Sequence, residues 1–433
     1  MSEIERRTMS KVSWRLVPFL MLCYFIAYLD RVNLGFAGGP MSKDLGFSSA
    51  VFGGAAGVFF FSYFIFEVPS NLALDKVGAR IWIARIMFTW GLVAGAEAFV
   101  QGATSLYAVR ILLGVAEAGF FPGIIFFLTL WFPSAYRARI IGLFMFAIPI
   151  STVIGAPISG ALLNFDGVMG LHGWQWMFII EAVPALILSV VVFFYLTDRP
   201  PNALWLNADE RAWLKGRLEA EEATRQRHGA MSWLRAMVDP RIIALGVVYM
   251  GCNTPQYGLS FFLPQIVKAF GLSNLQSGFV TAIPYAVGAV AMIFWSRHSD
   301  TTGERKWHAI LPLLAMVVGL LGSSTTADPT TKMAWLCVAG AGFFAVLPVF
   351  WTLPTAFLNA NCAAAGVAAV NSIGNLGGYF GPQVFGVLRD RTHNDTASLY
   401  FLAACAAVGA VIVFVMGHNP ALEQPLERPA AAE

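Results

Sequence analysis

The chain has 433 residues, of which 57% are hydrophobic and only 12% charged, with a net charge of +3. The charged share is half the ~25% usual in soluble domains, and the mean hydropathy is +0.66. These values exclude an ordinary soluble enzyme and predict a polytopic helical membrane protein, while the small net charge says nothing about nucleic acid.

The five cysteines, Cys23, Cys252, Cys337, Cys362 and Cys405, form no Cys-x-x-Cys pair and lie in or beside apolar runs. Neither a disulfide framework nor a zinc site is expected. In chain order, twelve apolar runs are long enough to cross a bilayer as helices: 14–37, 50–74, 81–101, 105–131, 138–164, 174–197, 241–269, 275–298, 307–326, 332–358, 364–388 and 396–417. The runs are continuous rather than alternating, which argues against a β-barrel. The first run is too long for a signal-peptide core and carries Asp30 and Arg31, so it is read as a retained helix.

Basic residues set the expected orientation. With the N-terminus inside, the inner segments hold most of the lysines and arginines. The outer segments hold only Lys43, Lys268, Lys332, Arg389 and Arg391. This bias predicts both termini in the cytoplasm of a bacterial inner membrane. The one long polar insertion, near 198–239, contains a helix start at Asn207-Ala-Asp-Glu. Leu206, Trp213, Leu214 and Leu218 follow at helical spacing, which suggests an amphipathic helix on the inner membrane surface; a solvated linker is the alternative. The expected organisation is a six-helix bundle over 1–198, a cytoplasmic central loop over 199–240, a second six-helix bundle over 241–418 and a cytoplasmic tail over 419–433.

The halves echo each other. Asp75-Lys-Val-Gly-Ala-Arg80 follows the second span and Asp300-Thr-Thr-Gly-Glu-Arg305 follows the eighth, both reading Asp-x-x-Gly-x-Arg. Parallel repeats of six spans are a transporter architecture. Together with the twelve spans and the central loop, the two motifs resemble the major facilitator superfamily over almost the whole chain. Three narrower stretches resemble its anion:cation symporter family. They are Tyr28-x-Asp30-Arg31-x-Asn33, Arg110-Ile-Leu-Leu-Gly-Val-Ala-Glu117-Ala-Gly-Phe-Phe-Pro122-Gly, and Asn371-Ser-Ile-Gly-Asn375-Leu-Gly-Gly378-Tyr379-Phe-Gly-Pro382. The resemblance implies an all-α membrane fold of two six-helix bundles related by a pseudo-two-fold axis. It also implies proton-coupled uptake of an organic carboxylate. The 2–3 loop departs slightly, with Leu72 or Ala73 where glycine is common and Lys76 in place of arginine. A gating role for Asp75, Arg80, Asp300 and Arg305 is what the family pattern implies.

Charges at bilayer depth are costly and mark functional sites by default. Arg31 is the candidate for holding a substrate carboxylate, because a guanidinium is a planar fork of donors that stays charged; the alternative is a permanent pair with an acid. Asp30 points about 100° away from Arg31 and is a candidate proton site or half of a structural ion pair. Glu117, among small residues that let helices approach, is the first choice for the coupling proton, since burial disfavours the charged form of a carboxyl. Arg110 is expected to pair with Asp30 or Glu117 and to clamp spans together. Glu67, Glu97 and Glu181 are expected to be structural, Glu67 meeting basic residues of the inner loops.

The second half has no charge at mid-depth. Its polar groups Gln256, Tyr257, Asn371, Asn375 and Tyr379 are candidate substrate contacts with Tyr28 of the first half, the Gln256-Tyr257 contact being supported by the resemblance. Asn253 and Ser372 suit helix–helix hydrogen bonds. The histidines fall in loops or at span ends without metal-ligand spacing, and no phosphate-binding Gly-x-x-x-x-Gly-Lys-Ser/Thr loop is present. The expected function is therefore proton-driven symport of a small organic anion by a non-enzymatic, cofactor-free monomer in a lipid bilayer, with no nucleic-acid partner. Anion exchange, sodium coupling, or a membrane sensor or channel are the alternatives.

Overall fold

The computed structural model describes residues 2–226, 238–353 and 360–416. Among these the regular structure is helical. The first half comprises α1 (Glu3–Leu45), α2 (Ser49–Val77), α3 (Ala79–Ala96), α4 (Ala103–Glu117), α5 (Phe120–Trp131), α6 (Ser134–Met145), α7 (Ala147–Leu162) and α8 (Gly173–Tyr195). A polar helix, α9 (Ala208–Gln226), leads to the second half: α10 (Pro240–Lys268), α11 (Asn274–Thr302), α12 (Lys306–Ser324), α13 (Pro329–Phe350), α14 (Ala360–Thr392) and α15 (Thr396–Val415).

Helices α4 and α5 form one span, Ala103–Trp131, and α6 and α7 another, Ser134–Phe165. Among the described residues, ten spans are long and apolar enough to cross a membrane by length and composition alone. Helices α10 and α14 have the length but less apolarity, because they carry Asn253, Gln256, Asn371 and Asn375; they complete the twelve. The expected two-bundle, twelve-helix fold is what forms. The tail beyond 416, residues 227–237 of the central loop and the 354–359 stretch lie outside the described residues.

One expectation fails in detail: the fourth span is not continuous. It breaks at Ala118 (φ −52°, ψ 129°) and Gly119 (φ 87°, ψ −1°), and α5 restarts at Phe120. Glycine alone takes that positive φ without strain. A Cβ on Gly119 would also fall 2.4 Å from Ser70 Oγ. The break follows directly on Glu117.

The bundle end carrying the turn at Gly46 is here termed upper, and the end carrying Gly78 lower. The halves meet along α2 with α14, α7 with α11, and α1 with α10. The contacts crowd toward the upper end and rest on backbone meeting backbone. A Cβ on Gly53 would lie 2.1 Å from the Pro382 carbonyl oxygen, and one on Gly57 2.6 Å from that of Tyr379. Across α7 and α11, Cβ atoms on Gly160 and Gly278 would lie 2.5 Å from the carbonyl oxygens of Asn274 and Ala156. Small residues allow such approach where lipid removes the hydrophobic drive for helix association. At the top, the Asp390 carboxylate on α14 accepts from the Ser49 and Ala50 amides at 3.0 and 2.7 Å, so it caps α2 of the opposite half. An anion there complements the N-terminal end of the helix dipole.

At the lower end, α9 is fastened to the first half. Asn207 and Glu210 form a reciprocal cap, each side chain accepting from the other's backbone amide at 2.9 and 3.0 Å. The fully buried Glu210 carboxylate also accepts from Lys11 Nζ at 2.8 Å and Arg7 Nε at 2.9 Å, both on α1. Glu221 accepts from the Ser134 amide and hydroxyl at the start of α6. Leu206 and Leu214 are buried beneath the helix. The amphipathic helix expected from the apolar spacing is thus present, and it docks on protein through these contacts.

Candidate substrate site

A central cavity lies between the halves. Its first-half wall includes Tyr24, Tyr28, Arg31, Phe60 and Tyr63, and its second-half wall includes Asn253, Gln256, Tyr257, Asn371 and Asn375. Of the residues expected to touch substrate, Arg31, Tyr28, Gln256, Tyr257, Asn371 and Asn375 therefore gather in one place. Tyr379 does not. Its ring lies 5.7 Å from that of Phe61, itself nearly half exposed, and its backbone forms the α2–α14 seam.

Arg31 projects from α1 and is ion-paired with Glu117 at the end of α4. Its Nε donates to Glu117 Oε1 at 3.0 Å and its NH2 group contacts the same oxygen. Aromatic rings enclose the guanidinium, with Tyr28, Phe59 and Tyr63 centroids at 5.9, 5.6 and 5.7 Å. Ring faces attract cations at these distances. Glu117 is fully buried and its Oε2 has no partner among the described residues.

Asp30 points elsewhere, as its position on the helix requires. It accepts from Trp90 Nε1 at 2.9 Å and Asn33 Nδ2 at 3.2 Å. Both of these donors are neutral. Arg110 pairs with neither Asp30 nor Glu117, contrary to expectation. Its Nη1 donates to Glu97 Oε1 at 3.1 Å and its Nε to the Ala55 carbonyl at 3.3 Å. The reason is vertical position: Arg110 lies two turns from Glu117 along α4, level with the 3-10 turn Glu97–Phe99 that ends the third span. Glu67 is likewise corrected: it accepts not from a basic loop residue but from Asn371 Nδ2 of the opposite half, at 3.1 Å. Glu181 accepts from Ser159 Oγ at 2.7 Å. Gln256 Nε2 also joins the halves within the cavity, donating to Tyr28 Oη at 2.6 Å. Asn253 donates to the Gly374 carbonyl at 3.1 Å, the helix–helix role expected of it.

These features occur in a chain that matches the Major Facilitator Superfamily over residues 20–382. The chain belongs to that superfamily. It is 53% identical over 418 residues to a protein of Agrobacterium vitis named "Putative tartrate transporter", with 96% of each chain covered. It is 40% identical over 415 residues to a quinolone resistance transporter of Acinetobacter baumannii, again with 96% of each covered. Its fold is similar to a crystal structure of a bacterial homolog of the human lysosomal transporter Spinster in an inward-facing and occupied conformation. That likeness has a TM-score of 0.74 at 16% identity and covers 92% of this chain and 96% of the other. The protein is a multi-pass membrane transporter of the superfamily and not an enzyme.

In this superfamily member the two Asp-x-x-Gly-x-Arg loops are not equivalent. Arg305 pairs with Asp300 within its own motif at 2.8 Å. Arg80 turns instead to Asp198, whose Oδ1 accepts from the Arg80 amide at 2.7 Å and whose Oδ2 lies 3.8 Å from its Nε. No ion pair to Asp75 occurs among the described residues. Two groups were not legible from the order of residues. One is Trp90, the buried donor to Asp30. The other is a chain beside the second motif, in which His308 Nδ1 lies 2.6 Å from Glu304 Oε2 and His308 Nε2 lies 2.7 Å from His298 Nδ1. Burial raises the Glu304 carboxyl, but the Trp307 and His308 amides and the His308 ring outweigh it and hold the group below the ordinary range. A hydrophobic residue pattern carries no trace of either group, because each joins residues from different helices.

Proposed function

We propose that the protein is a proton-coupled symporter of a small organic carboxylate, with a hydroxy acid such as tartrate as the first substrate to test. The observation that carries this reading is the Arg31–Glu117 pair on the wall of the central cavity. Arg31 offers one fork of donors, and Glu117 occupies it in this conformation. Protonation of Glu117 removes the competing charge and frees the fork for a substrate carboxylate. Proton and anion then enter together, and neither binds well alone. Tyr28, Gln256, Tyr257, Asn371 and Asn375 supply neutral hydrogen bonds suited to hydroxyl groups.

Asp30 is the second proton candidate, since neutral donors stabilise a buried carboxylate less than a cation does. The relative named for tartrate supports the substrate class. The preponderance of lysine and arginine in the expected inner segments supports cytoplasmic termini in a bacterial inner membrane. Alternating access proceeds by rocking the halves around the central site.

Purified protein in proteoliposomes, given labelled tartrate and an inward proton gradient, is expected to accumulate it with or without sodium. Uptake that needs sodium, or only exchanges anion for anion, overturns proton coupling. Phthalate and hydroxyphenylacetate belong in the competition panel, because Tyr24, Phe60, Phe121 and Phe343 bring aromatic rings to the cavity. Preference for them reassigns the substrate within the carboxylates.

A further inference from the structure

The α2–α14 seam runs from the Asp390 cap, past Gly53 and Gly57, to a polar contact at its lower limit, where Asn371 Nδ2 donates to Glu67 Oε1 at 3.1 Å. Glu67 is 5% exposed, and its Oε2 is buried without a partner among the described residues. Among the intramembrane acids of the first half, Glu117 pairs with Arg31 and Glu97 with Arg110, whereas Asp30, Glu181 and Glu67 accept from neutral donors, and of these three only Glu67 takes its donor from the opposite half.

Its charged and titratable surroundings are few. Tyr63 lies one turn away on its own helix. Arg31 on α1 is already taken by Glu117, and on α4 Glu117 and Arg110 are both paired. On α3, Arg80 is held by Asp198 and Arg85 lies over the Trp82 ring. Helix α5 has no acid or base, and those of α14, Arg389, Asp390 and Arg391, stand at its upper end. An ionised carboxylate with one neutral donor and one bare oxygen is poorly stabilised away from water, whereas the neutral acid avoids most of that cost.

We propose that Glu67 is a proton-binding site at the interface between the halves, and that the α2–α14 seam closes only over its protonated form. With the seam parted, water solvates the carboxylate, which is the stable form at neutral pH. A proton taken from the upper side neutralises it, Asn371 closes onto it, and the proton later leaves through the central cavity to the lower side. The emptied carboxylate then favours reopening. Asn371 also lines the cavity, so its bond to Glu67 competes with any bond to substrate. This inference rests on the proton-coupled reading only for the direction of the cycle.

The test needs neither substrate nor transport. Spin labels at Ser48→Cys and Thr392→Cys, two exposed positions flanking the upper seam, are introduced into protein with its native cysteines replaced. Distances are read in nanodiscs from pH 5 to 9. The closed-to-open ratio is expected to rise as pH falls, by at most about tenfold per pH unit for one proton. Glu67→Gln, which mimics the neutral acid, is expected to stay closed across the range. Glu67→Asp is expected to keep the pH response, which separates proton binding from packing. A seam whose distance ignores pH in protein retaining Glu67 overturns the proposal without recourse to any Glu67 variant. An unchanged pH response in Glu67→Gln does so too. Because the readout is seam distance, failure of tartrate transport leaves this result standing, and the reverse holds.

Discussion

Arg31 and Glu117 lie 86 residues apart, on different helices, and share a charge-assisted bond in which Nε donates to Oε1 at 3.0 Å. On the proposed function, this pair joins the substrate's anchor and the proton's acceptor in a single unit. Glu117→Gln is expected to abolish proton-driven accumulation while largely keeping counterflow exchange. Full active uptake by that variant removes Glu117 as the coupling site. Arg31→Lys keeps the charge but loses the planar fork. A charge-assisted hydrogen bond is worth about 1.5–3 kcal/mol, so apparent affinity is expected to fall roughly 10- to 100-fold. Transport kinetics for both variants in one liposome preparation check this.

Arg110 and Glu97, each about 2% exposed, form a buried pair away from the cavity. Removing one partner of such a pair costs about 3–5 kcal/mol, whereas replacing both is far milder. Arg110→Met is therefore expected to lower the melting temperature sharply, and Arg110→Met with Glu97→Gln to recover much of the loss. Thermal unfolding in detergent measures it. A double variant no more stable than the single one refutes the pairing as the main role.

Gly53 sits where a Cβ would meet the Pro382 carbonyl at 2.1 Å, while Gly142 on α6 has open space around it. Gly53→Ala is expected to hold the upper seam apart and to lengthen the distance between spin labels at Ser48→Cys and Thr392→Cys. Gly142→Ala is the control and leaves that distance unchanged.

Burial alone raises the Glu210 carboxyl, but the hydrogen bond from Lys11, the Asn207 amide, and the charges of Lys11 and Arg7 together hold it below the ordinary range. A group depressed on folding adds stability at pH above its unfolded value, about 4.3 for Glu. That stability is lost as pH falls through the folded value. Glu210→Gln is expected to melt lower than wild type at pH 7, with the gap closing below about pH 4. An equal gap at both pH values contradicts the charge account.

The spans were legible because length and continuous apolarity are one-dimensional signals. Asp30 and Arg31 stood out for the same reason, as charges in a run that should have none. Helical spacing also gave their divergence correctly: Arg31 faces Glu117 and Asp30 faces Trp90. Pairings between spans were not legible, since the period of one helix says nothing about its height beside another. Arg110 was therefore assigned to the wrong acids. Tyr379 failed for a related reason. It lies one turn above Asn375, but α14 leaves the cavity wall for the seam within that turn. The break after Glu117 sits in an Ala-Gly step inside an apolar run, where only the φ of Gly119 reveals it.

The seam between α2 and α14 is built where glycines meet carbonyl oxygens, with side-chain polar contacts at its two ends. Gly53 and Gly57 have no rotamers to freeze, so closing there incurs none of the side-chain entropy loss that an interdigitated surface of leucines or methionines incurs. Nor does parting require side chains to repack. The joint can open and shut repeatedly at little thermodynamic cost, which leaves the balance between its two positions to be set by small chemical changes such as a single proton.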